Sequence, residues 1–294
     1  MTGSSGFVGK NLSNYLSDQS FLVKPISLRN FTWKNNFTGD SIIHLAGKAH
    51  DTKNTSNASE YFKVNADLTK ELFDAFFKSE IKDFIYFSSV KAVADDVFDV
   101  LLEDDLANPK TPYGQSKLQA EEYILSKEIP QGKRVFIIRP CMIHGPGNKG
   151  NLNLLYNLVK KRIPYPLAAF YNERSFLGID NLNFLIKQIL INKQIPSGVY
   201  NFSDDEVLST NELVQIISSV SNKKNLSISI PKNIINGMAK IGDIFKIPLN
   251  SETLQKLTEN YRVSNQKIKD AIGIDKLPFT AKQGLEKTIK SFYN

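Results

Sequence analysis

The chain has 294 residues, of which 41% are hydrophobic and 23% charged, so it carries enough apolar material for a core and is not a disordered protein. It contains no run of roughly 20 apolar residues, as a membrane span requires, and its single cysteine, Cys141, excludes a disulfide framework and a Cys-rich zinc site. The formal net charge of +7 leaves anionic small molecules, nucleic acid and membrane phosphate as partner classes; we expect a cytoplasmic protein that binds neither nucleic acid nor a membrane.

A glycine-rich loop opens the chain. Gly3, Gly6 and Gly9 have the spacing G-x-x-G-x-x-G, and a helix is predicted over 9–18. Glycines allow a tight turn, and a helix N-terminus offers N–H donors to a pyrophosphate. An ordinary glycine-rich turn is an equal alternative. Such a loop follows a buried strand, yet only Met1 and Thr2 precede it, so we expect the true start to lie upstream, with a truncated product as the alternative.

Short apolar runs alternate with longer helical patterns along the next two hundred residues. Strands are predicted over 41–47, 83–90, 134–143 and 198–204, and helices over 58–79, 113–127 and 180–192. This alternation predicts a Rossmann-like, doubly wound parallel sheet whose first strand is missing from the sequence. Beyond about residue 205 the pattern is mostly helical. We therefore predict a dinucleotide-binding domain over 1–150, to which about 178–205 returns, and a smaller α/β substrate-binding domain over 151–294.

The residue that ends the second strand of such a sheet selects the dinucleotide. An acidic side chain there binds the ribose 2′-hydroxyl, whereas arginine accepts a 2′-phosphate. About 20 residues after Gly9 the sequence reads Ser27-Leu28-Arg29, without Asp or Glu. Arg29 therefore favours NADP over NAD, although a surface arginine in a turn explains it almost as well.

The segment from Thr111 to Lys117 carries the sharpest chemical signal. Thr followed by Pro begins a helix, and Tyr113 and Lys117 then lie four residues apart on one face. An adjacent ammonium favours the phenolate, so Tyr113 is a candidate general acid/base whose pKa Lys117 would lower. Upstream, a buried strand ends at Ser88-Ser89, where a hydroxyl can bond a substrate oxygen. The order of glycine loop, strand-end serine and Tyr-x-x-x-Lys is hard to obtain by chance.

These residues resemble one family over nearly the whole chain. The sequence is similar to extended short-chain dehydrogenases/reductases of the nucleotide-sugar epimerase/dehydratase group, such as UDP-glucose 4-epimerases. The matching stretches are Thr2–Gly9, Ile42–Gly47, Asn65, Phe87–Ser89, Tyr113 with Lys117, Arg139-Pro140 with Gly145, Asn151-Leu152, and Arg174–Phe176 with Asp180.

The resemblance implies a role for each matching residue. Tyr113 would be the proton carrier, Lys117 would hold the nicotinamide ribose and lower the pKa of Tyr113, and Ser89 would bond the reacting oxygen. The residues implied to cradle the pyrophosphate are Gly3, Gly6, Phe7, Val8 and Gly9. Those implied to line the cofactor cleft are Leu45, Ala46 and Asn65, with Pro140 and Cys141 near the nicotinamide. Those implied to hold the substrate diphosphate are Asn151 and Arg174. No metal site is expected.

Departures from the family pattern narrow the function. Dehydratases of this group carry an acidic pair directly after the strand-end hydroxyl, where this chain has Val90 and Lys91, which argues against 4,6-dehydration. We predict an NAD(P)-dependent UDP-sugar 4-epimerase. The alternatives are an NADPH-dependent reductase of a nucleotide-linked 4-keto-6-deoxy sugar and an inactive dinucleotide-binding protein. The family also implies a homodimer.

An amphipathic and basic segment over 233–246 has two interpretations. Its apolar residues could contact a membrane, or they could pack as a helix in the substrate-binding domain. We favour the packed helix.

Overall fold

The structure is a computed structural model, and it describes residues 1–29, 33–34, 38–48, 57–148, 151–224, 226–245 and 250–293. The strands are β1 (Ser41–His44), β2 (Asp83–Phe87), β3 (Val100–Leu101), β4 (Arg134–Pro140), β5 (Met142–His144), β6 (Arg174–Gly178), β7 (Gly198–Phe202), β8 (Val207–Leu208) and β9 (Arg262–Val263). The helices are α1 (Phe7–Asp18), α2 (Ala58–Tyr61), α3 (Leu68–Phe77), α4 (Pro112–Leu125), α5 (Asn151–Lys160), α6 (Ile179–Ile191), α7 (Thr210–Val220), α8 (Lys232–Phe245), α9 (Ser251–Thr258), α10 (Gln266–Ile272) and α11 (Ala281–Lys290). A π-helical turn, Phe62–Asp67, joins α2 to α3.

A four-stranded parallel sheet in the order β1-β2-β4-β7 forms the centre of the molecule. All five residues of β2 are buried, as expected for a parallel strand covered on both faces. Helices α1 and α6 pack on one face of the sheet, and α3 and α4 pack on the other. The predicted Rossmann-like, doubly wound sheet is confirmed.

The second half of the chain builds its own apolar cluster. It forms where α5, α7, α8 and α11 pack around β6, with Phe176 and Ile217 at its centre. The small sheet β5-β6-β8 adjoins this cluster. Since β5 follows β4 after one residue, the two sheets are joined close to the carboxyl end of β4.

The N-terminal residues enter the sheet without forming a full strand. Thr2 forms parallel bridges with both Ile26 and His44, and its N–H donates to the Ile43 carbonyl over 3.0 Å. Met1 is buried, and its amino group donates to the Lys24 carbonyl. A cavity of about 1330 Å³, lined by Met1 together with apolar and charged residues such as Ile42 and Asp83, opens at the amino ends of β1 and β2. It lies at the opposite sheet edge from the glycine loop.

Within the described ranges, every helix is too short or too polar to cross a bilayer.

Candidate active site

A cleft of about 360 Å³ lies at the carboxyl ends of β1, β2 and β4, where parallel sheets bind their ligands. We take this cleft as the candidate site in preference to the larger cavity, because only the cleft combines a helix N-terminus with a phenol, a hydroxyl and a cation. Its lining includes these predicted residues: Gly3, Gly6, Phe7, Val8, Gly9, Leu45, Ser89, Tyr113, Lys117, Pro140 and Cys141.

The glycine loop shapes the floor of the cleft. Gly3 has φ +65°, and a Cβ at this position would lie 2.7 Å from the Ala46 nitrogen, so only glycine fits. The loop leads into α1, whose N-cap, Gly6, provides no side-chain cap, and no acidic residue occupies its first turn. The first N–H groups of α1 are therefore available to an anion at the positive end of the helix dipole. These features fit the pyrophosphate of a dinucleotide.

Helix α4 presents the phenol and the cation. The side chain of Thr111 caps this helix by accepting a hydrogen bond from the Gly114 N–H over 3.2 Å. A Cβ on Gly114 would lie 2.3 Å from the Lys91 carbonyl oxygen, so glycine lets α4 approach the turn after β2. This close approach brings Tyr113 on α4 beside Ser89 at the end of β2.

The hydroxyl of Tyr113 is hydrogen-bonded to the side chain of Ser89. Burial raises the pKa of Tyr113 above its usual value of 10.0, and this effect outweighs the hydrogen bond from Ser89, which lowers the pKa. Desolvation therefore sets the direction of this pKa shift, and the prediction that Lys117 lowers the pKa of Tyr113 stays a prediction. The phenol is held in its protonated form, beside a hydroxyl that can share the proton.

Lys117 is buried one helical turn after Tyr113. Its ammonium donates to the Phe87 carbonyl over 2.8 Å and lies 4.9 Å from the centre of the Tyr86 ring. Burial lowers its pKa from 10.5 to about 8, against an opposing effect from the Glu121 carboxylate. The positive charge also keeps the buried His44 neutral, since desolvation and Lys117 together lower the pKa of that imidazole to about 3.

Two residues predicted to line the cleft, Asn65 and Ala46, bond groups next to it. Asn65 is fully buried, and its amide accepts from the Lys48 N–H over 2.7 Å and donates to Ser116 over 3.0 Å. Ala46 donates its N–H to Thr2. Neither residue is among those that line the cleft, because their polar groups hold the neighbouring backbone, and the cofactor-binding roles predicted for Asn65 and Ala46 stay predictions.

Arg29 and Asn151 are not placed in the cleft. Arg29 is exposed in a turn three residues after Ile26, which pairs with Thr2 just before the glycine loop. Asn151 is the first residue of α5, and its side chain lies outside the described part of the structure. The roles predicted for these two residues remain predictions.

Arg174 lies in a charged cluster beyond Ser89, outside the lining of the cleft. Its guanidinium is 3.8 Å from the Glu259 carboxylate, and burial lowers its pKa. Lys91 lies within electrostatic range of both groups, and its ammonium is 4.2 Å from the centre of the Tyr261 ring. Because the Lys91 N–H donates to Ser89 over 3.2 Å, this cluster adjoins the reacting side of the site.

The cleft also contains residues for which sequence reasoning gave no role. They are Gly47, Lys48, Phe87, Ser88 and Ile143. Gly47, Phe87 and Ser88 stood inside stretches that carried the family resemblance, so the signal was available for them. Lys48 and Ile143 had no such signal, since their positions depend on the packing of loops distant in the sequence. Across the described ranges, no cluster of three or more His, Cys, Asp or Glu residues suited to a metal ion is found.

The chain is similar to known 4-epimerases over most of its length. A family model described as the NAD dependent epimerase/dehydratase family matches residues 1–183. The chain is 29% identical to a UDP-glucose 4-epimerase of Vibrio cholerae, covering 99% of this chain and 94% of that protein. It is 30% identical to an N-acetyl-α-D-glucosaminyl-diphospho-ditrans,octacis-undecaprenol 4-epimerase of Escherichia coli O157:H7, covering 85% and 77%. The crystal structure of UDP-N-acetylglucosamine 4-epimerase from Bacillus cereus superposes with a TM-score of 0.76 at 19% identity, covering 100% and 98%.

Proposed function

The chain belongs to the NAD-dependent epimerase/dehydratase family, and on this premise we propose that it is a 4-epimerase of UDP-sugars. As a member of that family it is an NAD(P)-dependent enzyme of the nucleotide-sugar epimerase and reductase type, so the inactive alternative loses its support. The observation that carries the proposal is the hydrogen-bonded pair of Tyr113 and Ser89 in the cleft that the glycine loop enters.

Tyr113 and Ser89 would act on the hydroxyl at sugar C4. The bound dinucleotide supplies the exchange of hydride with the sugar carbon. Tyr113 would first release its own proton, and the phenolate would then accept the proton of that hydroxyl as it becomes a ketone; when the ketone is reduced from the other face, the phenol would return the proton. Ser89 donates a hydrogen bond to the same oxygen, and Lys117 favours the phenolate through its charge.

The remaining parts of the chain have proposed roles in binding. We assign the dinucleotide to residues 1–150 with about 178–205, supported by the sheet, the glycine loop and α1, and the substrate to 151–294, where Arg174 would pair with the diphosphate. An arginine fork can pair with two phosphate oxygens at once. Arg29 supports NADP, and its exposed position leaves the guanidinium open to a 2′-phosphate.

A second candidate substrate is a sugar diphosphate carried on a polyprenol. The observation that favours it is the similarity to the Escherichia coli enzyme, which is named for such a substrate. Both candidates share the same sugar and diphosphate chemistry, so Tyr113, Ser89 and Arg174 would serve either.

Incubation with UDP-glucose, UDP-galactose and the corresponding N-acetylhexosamines tests the proposal. We expect NMR to detect the C4 epimer at equilibrium without net loss of nicotinamide absorbance when NAD is present. Stoichiometric oxidation of NADPH with a nucleotide-linked 4-keto-6-deoxy sugar, and no epimer formation, would show a reductase instead. Tyr123→Phe is the matched control for Tyr113→Phe: the hydroxyl of Tyr123 bonds Asp74 on the exterior, so its loss should not affect turnover.

The buried cation predicts a decline in activity at alkaline pH. Lys117 loses its proton at about pH 8, so kcat/KM should fall above that pH as the cation beside the phenol is lost. In the unfolded chain the same group titrates near 10.5, so between about pH 8 and 10.5 the unfolded state binds more protons and this group's contribution to the free energy of unfolding rises with pH. A pH–rate profile should therefore show a loss of rate above about pH 8, and parallel thermal melts should show that titration of Lys117 does not unfold the protein. Lys117→Met should lower the rate and remove this alkaline limb; an unchanged limb would contradict the assignment.

A further inference from the structure

Helix α8 turns an apolar face outward. Ile235, Ala239 and Gly242 form the narrow stripe that packs into the protein. A second apolar stripe, which we call the outer stripe, recurs at i, i+4, i+7 and i+11 and so lies on one side of the helix. Its members, with exposed fractions, are Ile234 (55%), Met238 (48%), Ile241 (54%) and Phe245 (71%), and Ile244 (76%) lies at its edge.

The surface around the outer stripe is strongly basic. The segment 226–230 leads into α8 and runs beside the segment that follows α5, since Tyr165 bridges Ser227. Residues 160–165 and 223–245 together contain seven basic side chains and one acidic side chain, a net charge of +6, compared with +7 for the entire chain. Two further apolar side chains in this region, Ile163 and Ile228, are half exposed. The two segments that meet at the Tyr165–Ser227 bridge, one of which continues into α8, therefore carry most of the net positive charge of the chain.

We propose that this surface docks on an anionic lipid bilayer, with the outer stripe of α8 lying in the interface. An amphipathic helix whose apolar residues enter the acyl boundary and whose lysines meet lipid phosphate has this combination of features. A second copy of the chain is a poor occupant. In a two-fold dimer each basic surface would face its own copy, and the repulsion would oppose the apolar contact. The expected packed helix is present, since Ile235 and Ala239 belong to the second apolar cluster; the proposal concerns its exposed face, for which the sequence analysis expected no membrane partner.

Docking would also suit the second candidate substrate, an extension that rests on the proposed function. Helix α8 packs against α9, and Glu259, which directly follows α9, pairs with Arg174. One helix thus separates the docking surface from the arginine that we assign to the diphosphate. A sugar diphosphate anchored in lipid would then reach the site without leaving the bilayer surface.

Cosedimentation with vesicles tests the docking directly and needs no enzyme activity. The full chain should sediment with vesicles of equal parts phosphatidylglycerol and phosphatidylcholine and should remain soluble with pure phosphatidylcholine. Raising the salt from about 0.1 M to about 1 M should weaken binding, because the Debye length falls from ~10 Å to ~3 Å. Met238→Glu should reduce the partition coefficient by about tenfold or more, since it places a charge in the stripe.

The control is Leu106→Glu, which alters an apolar side chain that is 93% exposed outside this surface. It should bind vesicles like the unaltered chain, and thermal melts should show that both variants are folded. The proposal is overturned if the unaltered chain stays in the supernatant with anionic vesicles, or if Met238→Glu binds as well as Leu106→Glu. It is also overturned if sedimentation velocity shows a dimer that Met238→Glu dissociates, which would assign the stripe to a second copy. Failure of UDP-sugar turnover would affect only the proposed function.

Discussion

Tyr113→Phe is expected to lower kcat by about 10²–10⁴-fold, the range associated with loss of a positioned general acid or base. The substitution removes one hydroxyl and keeps the ring, which packs edge-on against Tyr61 at a centroid separation of 6.2 Å. The hydroxyl bonds Ser89, which also accepts from the Lys91 N–H, so its loss leaves that serine with a partner. The effect should therefore fall on chemistry and spare folding.

A binding measurement on Tyr113→Phe and a second variant, Ser89→Ala, separate catalysis from structure. Binding of NAD(H), followed by nicotinamide fluorescence, should change little, because the glycine loop and α1 are untouched. Ser89→Ala should also lower kcat, by a smaller factor, since a hydrogen bond to the reacting oxygen is lost while the proton carrier remains. If Tyr113→Phe kept more than half of the original kcat at an unchanged melting temperature, the phenol would not be the proton carrier.

Local patterns were sufficient to predict the elements that form the cleft. The glycine spacing, the Thr-Pro start of α4 and the apolar runs of β1, β2 and β4 each depend on neighbours in the chain, and the sheet places them together. The order of these motifs supported the family resemblance, and the resemblance implied that Tyr113 and Ser89 act on the same oxygen. The outcome in the structure is that these two side chains share a hydrogen bond.

Long-range contacts explain what the sequence did not reveal. Asn65 bonds the Lys48 backbone and Ser116, which lies 51 residues further along the chain, and Glu259 meets Arg174 across 85 residues. The pKa of Tyr113 depends on how deeply the phenol is buried, which no local pattern encodes. The basic surface around α8 likewise requires two segments, separated by some sixty residues, to lie side by side.

The buried pair of Arg139 and Glu121 predicts the largest effect on stability. Arg139 on β4 bonds both oxygens of the Glu121 carboxylate on α4, with the shortest contact at 2.6 Å, and the side chains are 6% and 1% exposed. Arg139 also donates to the Glu103 carbonyl, and Glu121 accepts a hydrogen bond from Ser88, which lines the cleft. This desolvated ion pair therefore joins β4 of the central sheet to α4, the helix that carries Tyr113 and Lys117.

Arg139→Met should lower the free energy of unfolding by about 3–5 kcal/mol, because the Glu121 charge is left buried and uncompensated. Urea denaturation provides the measurement, and Lys287→Met is the matched control: the Lys287–Asp180 pair has a 2.8 Å contact, but Lys287 is 56% exposed, so its loss should cost at most about 1 kcal/mol. The double variant Arg139→Met with Glu121→Leu should recover much of the loss, since no charge then remains without a partner. Equal costs for Arg139→Met and Lys287→Met would mean that water reaches the Glu121 carboxylate, and the ion pair would then have no special part in holding α4 against the sheet.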